Sequence, residues 1–176
     1  VLRSEAAVAL EQLGVADALR ELQTQLGKEK DALVQGRLLR AIGSCGPADA
    51  KVHAQLLNRL KSEKKPELRA AVIAALGWLD ADPAVASELE ALLAKGQESE
   101  RACAVGAMAL SRSERWKPLL ERALSETQDE AQQKLLQTGI DALASGQLKP
   151  VGEIFAHATK DEIERAFNNL DELSMP

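Results

Sequence analysis

The sequence predicts an all-α fold, and three observations carry that prediction. Ala and Leu dominate the 176 residues, with 30 and 28 copies, whereas Val and Ile have only 9 and 5. Ala and Leu are strong helix formers, and β-branched residues favour strands. Aromatic residues make up only 2% of the chain, so the core must consist of Leu and Ala on closely packed helices. The third observation is a helix that recurs along the chain.

The recurring helix carries an apolar anchor residue every 32 to 34 positions. The anchors are Leu10, Ile42, Leu76, Met108 and Ile140. The residue before each anchor is small, namely Ala9, Ala41, Ala75, Ala107 and Gly139. Seven positions before the anchor, the residues are Arg3, Gln35, Arg69, Arg101 and Gln133. A small residue at one fixed place predicts that successive anchor helices approach each other closely there.

A second amphipathic segment follows each of the first four anchors. Leu and Val recur at helical spacing in residues 19–26, 52–60, 85–93 and 119–124. Asp82 and Pro83 predict an N-cap followed by the first helical residue. Thr127 with Glu130, and Thr159 with Glu162, predict capping boxes. The connections are short, so neighbouring helices should be antiparallel.

Two segments resemble a known helical repeat. Residues 68–77 read LRAAVIAALG, and these and residues 2–14 resemble the V-R-x-x-A-x-x-A-L-x-x-L-G helix of HEAT repeats, particularly the bacterial type also found in phycobilisome lyases. The pattern departs at Gln35 and Gln133, which replace Arg. The resemblance implies an armadillo-like α-solenoid of about five helix pairs, with the anchor helices on the concave side of a right-handed superhelix.

The predicted organisation is a repeat array over residues 1–158 and a C-terminal capping helix and tail over residues 159–176. The cap is predicted because one stripe of that segment is apolar, formed by Ile163, Ala166, Phe167, Leu170 and Leu173. The chain opens at Val1 directly in a repeat helix. One interpretation is therefore that it is a piece of a longer protein, with a regulatory or spacing role beside other domains.

The charge distribution argues against nucleic acid as a partner. The net charge of −5 comes mostly from residues 151–176, which hold six acidic and two basic residues. The remaining chain is nearly neutral, whereas a phosphate-backbone binder concentrates Lys and Arg. Two distant cysteines do not require an oxidising compartment, and no apolar run is long enough for a membrane span. We therefore expect no membrane partner and a cytoplasmic location.

Catalysis is not indicated by any motif. There are two histidines, no phosphate-binding glycine loop and no nucleophile within a base-bearing motif, so we expect no enzyme activity and no cofactor. Glu153, His157 and Asp161 have the spacing of a metal-ligand trio on one unbroken helix. The capping box at Thr159 favours a helix break there, so we interpret the three as solvated surface residues.

A partner-binding surface is the stronger hypothesis. The anchor-helix positions away from the core face are polar in repeats 1 and 2 but apolar in repeats 3 and 4. Either these two helices are buried on both sides, or they line an apolar stripe on the concave face. The candidate contact residues are Trp78, Ala74, Cys103, Leu110, Arg37, Arg40, Arg69 and Arg101, because a Trp with Arg at its edge is typical of interaction hot spots. Bonds to neighbouring loops or carboxylates are the alternative role for Arg69 and Arg101.

The function expected from these features is that of a non-catalytic scaffold or adaptor that binds a protein or peptide on its concave face. The principal alternative is a nucleic-acid-binding HEAT-like domain similar to some DNA glycosylases. A regulatory or spacing arm of a larger enzyme is the third.

Overall fold

A computed structural model describes residues 2–146 and Ile154, and these contain helices and no strand. The α-helices in this part of the chain are α1 (Leu2–Leu13), α2 (Leu19–Lys28), α3 (Ala32–Cys45), α4 (Ala50–Ser62), α5 (Pro66–Leu76), α6 (Pro83–Lys95), α7 (Glu98–Leu110), α8 (Lys117–Glu126) and α9 (Glu130–Ser145). Short 3₁₀ helices lie at Ala16–Ala18, Gly77–Leu79 and Glu114–Trp116. The predicted capping helix at residues 159–176 and its box at Thr159 lie outside the described residues.

Aspartates begin several of these helices. The Asp82 carboxylate accepts a hydrogen bond from the backbone N–H of Ala84 at 2.8 Å, and Pro83 is the first residue of α6, as predicted. The capping box predicted at Thr127 is wrong. Helix α9 begins behind Asp129, whose carboxylate accepts from the N–H of Gln132 at 2.9 Å. Asp129 stands one residue before the helix, where a short carboxylate reaches the free N–H groups best.

The five anchors fall on α1, α3, α5, α7 and α9, which lie side by side in chain order. Each even-numbered helix packs mainly on the odd-numbered helix that follows it, and the even-numbered helices barely contact one another. In a curved two-layer stack the inner helices are the closer ones. The odd-numbered helices form the more closely packed layer, which we call the concave layer after the orientation that the resemblance implies. The predicted all-α solenoid is confirmed for the described residues.

Small residues allow the backbones of the concave layer to touch, as the sequence predicted. A Cβ on Gly43 of α3 would lie 2.5 Å from the carbonyl oxygen of Ala75 in α5. A Cβ on Gly77, directly after α5, would lie 2.5 Å from that of Ala107 in α7. A larger side chain at either glycine would have to push the helices apart. The small residue before one anchor thus packs on the residue after the preceding anchor.

The core runs along the whole stack between the two layers. Ile42, Leu76 and Met108 have no exposed surface, and Val52, Leu56 and Leu89 of the even-numbered helices face them equally buried. Because each repeat covers its neighbour, the array forms one continuous core rather than separate ones. None of the described helices has the length and apolarity that a bilayer crossing requires.

Candidate functional site

Three of the predicted contact residues lie in the interior. Ala74 is 2% exposed, Cys103 1% and Leu110 6%. Every residue from 70 to 76 in α5 and from 102 to 110 in α7 is buried. The apolar composition of these two helices therefore reflects burial on both sides, which was one of the two explanations left open. These three side chains have almost no surface to offer a partner.

Trp78 lies in the 3₁₀ helix that follows α5 and is half-buried against the core. Its indole N–H is buried and has no hydrogen-bond acceptor among the described residues. Because the residue as a whole is only partly buried, Trp78 stays a candidate contact residue. The second tryptophan, Trp116, is 1% exposed and donates its indole N–H to the Asp80 carboxylate at 3.2 Å, so it ties two neighbouring repeat turns together.

The position seven residues before the anchor has one recurring structural role in the four repeats where its side chain is described. Gln35 donates to the carbonyl of Glu29, Arg101 to that of Gly96 and Gln133 to that of Thr127, at 2.6, 2.8 and 3.0 Å. Each acceptor is the C-cap residue directly after the preceding even-numbered helix. The carbonyls at helix ends lack partners within the helix, so these side chains fix each helix pair. Glutamine makes the bond as well as arginine does.

Arg69 does more than its counterparts. Its guanidinium donates to the carbonyls of Leu60 and Glu63 at 2.6 and 3.1 Å, which closes the end of α4. It also forms an ion pair with the Glu100 carboxylate at the start of α7. A single side chain therefore joins α4, α5 and α7.

This ion pair lies in a groove between the N-terminal ends of α5 and α7. The groove encloses about 500 Å³. We call it the α5–α7 groove, and its lining consists of Glu63, Lys64, Pro66, Arg69, Ala70, Ile73, Gln97, Ser99, Glu100 and Cys103. Ala70, Ile73 and Cys103 are buried and form an apolar floor, whereas the rim is polar. The groove exposes the N-terminal ends of α5 and α7, whereas the remainder of both helices is buried.

The two carboxylates of the groove are held in their charged form. Partial burial raises the pKa of Glu100, but the Arg69 hydrogen bond and charge and the N–H of Gln97 outweigh it, and the pKa falls below its usual value. The pKa of Glu63 is lowered as well. Burial raises it, but hydrogen bonds from the backbone N–H groups of Lys65 and Lys64 and the charge of Arg59 outweigh that effect. Carboxylates with lowered pKa values are poor general bases near neutral pH.

The groove also contains no activated nucleophile. Burial raises the pKa of the Cys103 thiol to about 12, and Glu100 adds to the effect. A thiol of that pKa is protonated and unreactive at neutral pH. His53 lies elsewhere, between the Asp82 carboxylate at 2.7 Å and the carbonyl of Pro47 at 3.0 Å. Its ring therefore joins two successive repeats.

Arg37 and Arg40 bind α1 and do not line the groove. Arg37 donates to the Ser4 hydroxyl, and Arg40 forms an ion pair with Glu11 at 2.7 Å. Glu11 is only 8% exposed, so the pair is largely shielded from solvent. Together with Arg69 and Arg101, these arginines are bonded to acceptors within the protein.

The metal-ligand trio considered at Glu153, His157 and Asp161 lies outside the described residues. Within residues 2–146 and at Ile154, no group of three His, Cys, Asp or Glu side chains could hold a metal ion.

Sequence reasoning found Arg69 but not its partner Glu100 or the groove. Arg69 and Glu100 are 31 residues apart in sequence, so their ion pair depends on the register between α5 and α7. The only available signal was an acidic residue in the first turn of α7, which is common for electrostatic reasons alone.

The comparison with known families agrees with this architecture. Residues 24–109, which run from α2 into α7 and include every residue that lines the groove, match the family model for HEAT repeats. No curated protein and no solved structure is significantly similar to the chain. The recurring anchor helix, the two-layer stack and this match agree that residues 24–109 are HEAT repeats.

Proposed function

We propose that the chain is a non-catalytic scaffold or adaptor that holds a protein or peptide segment in the α5–α7 groove. The observation that carries the proposal is the groove itself, because beyond their first turns α5 and α7 are buried throughout. A partner on this part of the concave layer has access only to their N-terminal ends. HEAT repeats in general serve protein interactions, which supports the coarse assignment.

The chemistry of the groove suits a peptide better than a reaction. The groove offers a partner mainly polar surface, because the floor residues Ala70, Ile73 and Cys103 are at most 4% exposed. Polar, solvent-accessible groups of this kind form the rim of protein interfaces. A volume of about 500 Å³ accommodates a few side chains rather than a folded domain. The lining offers two carboxylates that are held in ion pairs and a protonated thiol. These groups suit binding of a partner better than catalysis.

Electrostatics support a protein partner over nucleic acid. Glu63 and Glu100 balance Lys64 and Arg69 across the groove, so the lining has no net positive charge to attract phosphates. The charges of Arg40 and Arg69 are further compensated by their ion pairs.

Of the predicted contact residues, Arg69 and Cys103 belong to the groove, with Cys103 as part of its floor. Trp78 is a contact candidate at the other end of α5. We assign the polar contacts to the rim, at Gln97, Ser99 and Lys64, because these side chains do not hold helices together.

Site-specific photo-crosslinking tests the proposal. A photoreactive phenylalanine replaces Gln97 on the groove rim, and in the control it replaces Glu90, which is exposed on α6 in the convex layer. In lysate of the source cells, the Gln97 probe should crosslink a defined protein that the Glu90 probe does not. Excess wild-type chain should abolish that crosslink, and Ser99→Trp chain, whose groove is obstructed, should compete at least tenfold less well.

Two outcomes contradict the proposal. Equal crosslinking from Glu90 and Gln97 would mean that the groove is not the contact surface. An anisotropy shift of labelled duplex DNA at low salt, lost at 200 mM salt, would favour the nucleic-acid alternative, because phosphate contacts weaken steeply with salt.

A further inference from the structure

The α5–α7 groove lies where the repeat departs from its own pattern. Eight positions before the anchor, α3 and α5 carry Val34 and Leu68, which are 9% and 2% exposed. The same register of α7 carries Glu100, a partly buried carboxylate. The connection from α6 to α7 also has two residues, whereas those that lead into α3, α5 and α9 have three. A polar site therefore occupies a position that two other repeats fill with core side chains.

Both carboxylates of the groove are already bonded to donors of the protein. Glu63 accepts from two backbone N–H groups of the loop that follows it, at 3.0 and 3.1 Å, and pairs with Arg59 at 2.7 Å. Glu100 accepts two hydrogen bonds from the Arg69 guanidinium and one from the backbone N–H of Gln97. A carboxylate has about four acceptor sites, so each of the two keeps little capacity for a basic group of a partner.

The Lys64 and Ser99 side chains of the lining remain open, and both can donate hydrogen bonds. Within residues 2–146 and at Ile154, no hydrogen bond or ion pair involves the Lys64 ammonium or the Ser99 hydroxyl. Lys64 is exposed in the connection before α5, and Ser99 is partly buried in the first turn of α7. The open donors therefore come from both helices that border the groove, and the ammonium cannot accept a hydrogen bond.

Building on the proposed function, we infer that the groove binds an acidic side chain of the partner segment, whose carboxylate accepts hydrogen bonds from Lys64 and Ser99. Bonds from an ammonium to a carboxylate are charge-assisted and stronger than bonds between neutral groups. A basic side chain in this position would instead face the Lys64 charge and two carboxylates that are already bonded. One ammonium also matches a single carboxylate, whereas a nucleic acid requires several cations along its phosphate backbone.

A nuclear magnetic resonance titration of the isotope-labelled chain tests the inference. The probe is a peptide of sequence Ser-Ala-Glu-Glu-Ala-Ser, blocked at both ends so that it has no terminal charge. Its counterparts carry Gln or Lys in place of Glu. The acidic peptide should shift the backbone amide signals of Lys64 and Ser99. It should bind about tenfold more tightly than the Gln peptide, because hydrogen bonds to charged groups contribute more than neutral ones, and the Lys peptide should not bind.

Matched charge reversals locate the contact. Lys64→Glu should weaken binding of the acidic peptide about tenfold or more. Lys65→Glu makes the same change one residue further along, at an exposed side chain that does not line the groove. It should weaken binding less than threefold in about 150 mM salt, where separate surface charges are largely screened. Ser99→Ala should weaken binding severalfold, and far-ultraviolet circular dichroism checks that each variant folds.

Three results of the titration overturn the inference. They are binding of the Gln or Lys peptide as tight as that of the acidic peptide, absence of shifts at Lys64 and Ser99, and equal weakening by Lys64→Glu and Lys65→Glu.

The crosslinking assay separates this inference from the proposed function. Lys64→Glu chain should compete for the Gln97 crosslink at least tenfold less well than the wild-type chain. If it competes as well as the wild type while Ser99→Trp chain fails, the groove still holds the partner and the acidic contact is wrong. Equal crosslinking from Gln97 and Glu90 instead contradicts the proposed function itself.

Discussion

A methyl group added at Gly43 should weaken the stack because α3 and α5 touch there through their backbones. A Cβ at this position would lie 2.5 Å from the carbonyl oxygen of Ala75 and 3.0 Å from its Cα. Both neighbours are backbone atoms of a buried helix, so no side chain can rotate away. The helices must separate by a substantial part of an ångström to admit the methyl group.

The size of the effect follows from two opposing contributions. Extra volume in a well-packed core costs about 1–3 kcal/mol. Replacing glycine by alanine inside a helix favours the folded state by about 0.5–1 kcal/mol. We therefore expect Gly43→Ala to lower the free energy of unfolding by about 1–2 kcal/mol, which corresponds to roughly 2–8 °C in Tm for a chain of this size.

Gly27→Ala provides the matched control. Gly27 lies in α2, and no atom is within 4 Å of the Cβ that it would gain. The control should keep or slightly raise stability. Urea unfolding followed by circular dichroism at 222 nm measures both variants, with the slope of the transition checked for constancy. If Gly43→Ala is as stable as Gly27→Ala, the backbones of α3 and α5 are not in contact and the inferred stack is wrong.

Three further predictions test individual bonds. Asp82→Ala should cost about 1 kcal/mol at pH 7 through loss of the α6 N-cap. The hydrogen bond from His53 holds the pKa of Asp82 below its usual value, so its stabilisation is complete above the unfolded pKa and is lost as pH falls through the folded one. Between pH 5 and pH 2, the free energy of unfolding measured in urea should therefore fall more for the wild type than for the variant. Arg101→Gln should unfold in urea like the wild type, whereas Arg101→Ala should lose about 1 kcal/mol. Cys103, whose pKa burial raises to about 12, and the buried Cys45 should react with Ellman's reagent at pH 8 only after unfolding.

The repeat and its helices could be predicted from sequence because they depend on local pattern. The small residue before each anchor predicted close helix contact, and the contacts at Ala75 and Ala107 confirm it. The sequence did not disclose that glycines complete those contacts from the preceding helix, since helix register is a tertiary property.

The binding site was harder to predict because composition does not distinguish a buried apolar helix from an exposed one. The buried state of Ala74 and Leu110 follows from neighbours on both sides of α5 and α7. The departures at Gln35 and Gln133 from arginine also proved structurally harmless. The amide of Gln35 or Gln133 donates to the carbonyl at the end of the preceding even-numbered helix, as the guanidinium of Arg101 does. This shared kind of acceptor is visible only in the structure.

Arg69 shows why stability and recognition must be probed at different residues. Its side chain lines the groove, yet it also closes the end of α4 and pairs with Glu100 of α7. Removing it would leave Glu100 without its partner in a partly buried site, which destabilises the joint between repeats whether or not a ligand binds. A loss of binding in Arg69→Ala would therefore not identify a contact.

Lys64 and Ser99 do not have this double role, whereas Gln97 is also the N-cap residue of α7, in a capping box with Glu100. Lys64 and Gln97 belong to the loops between helices, and Ser99 to the first turn of α7. Loops on a rigid scaffold accept substitutions that the packed layers reject. Since the anchor helices are fixed by close backbone contact and by the bonds that end each helix pair, we expect the groove's partner specificity to reside in these rim side chains. An exchange of Lys64 and Ser99 should then change the partner while the unfolding transition stays in place.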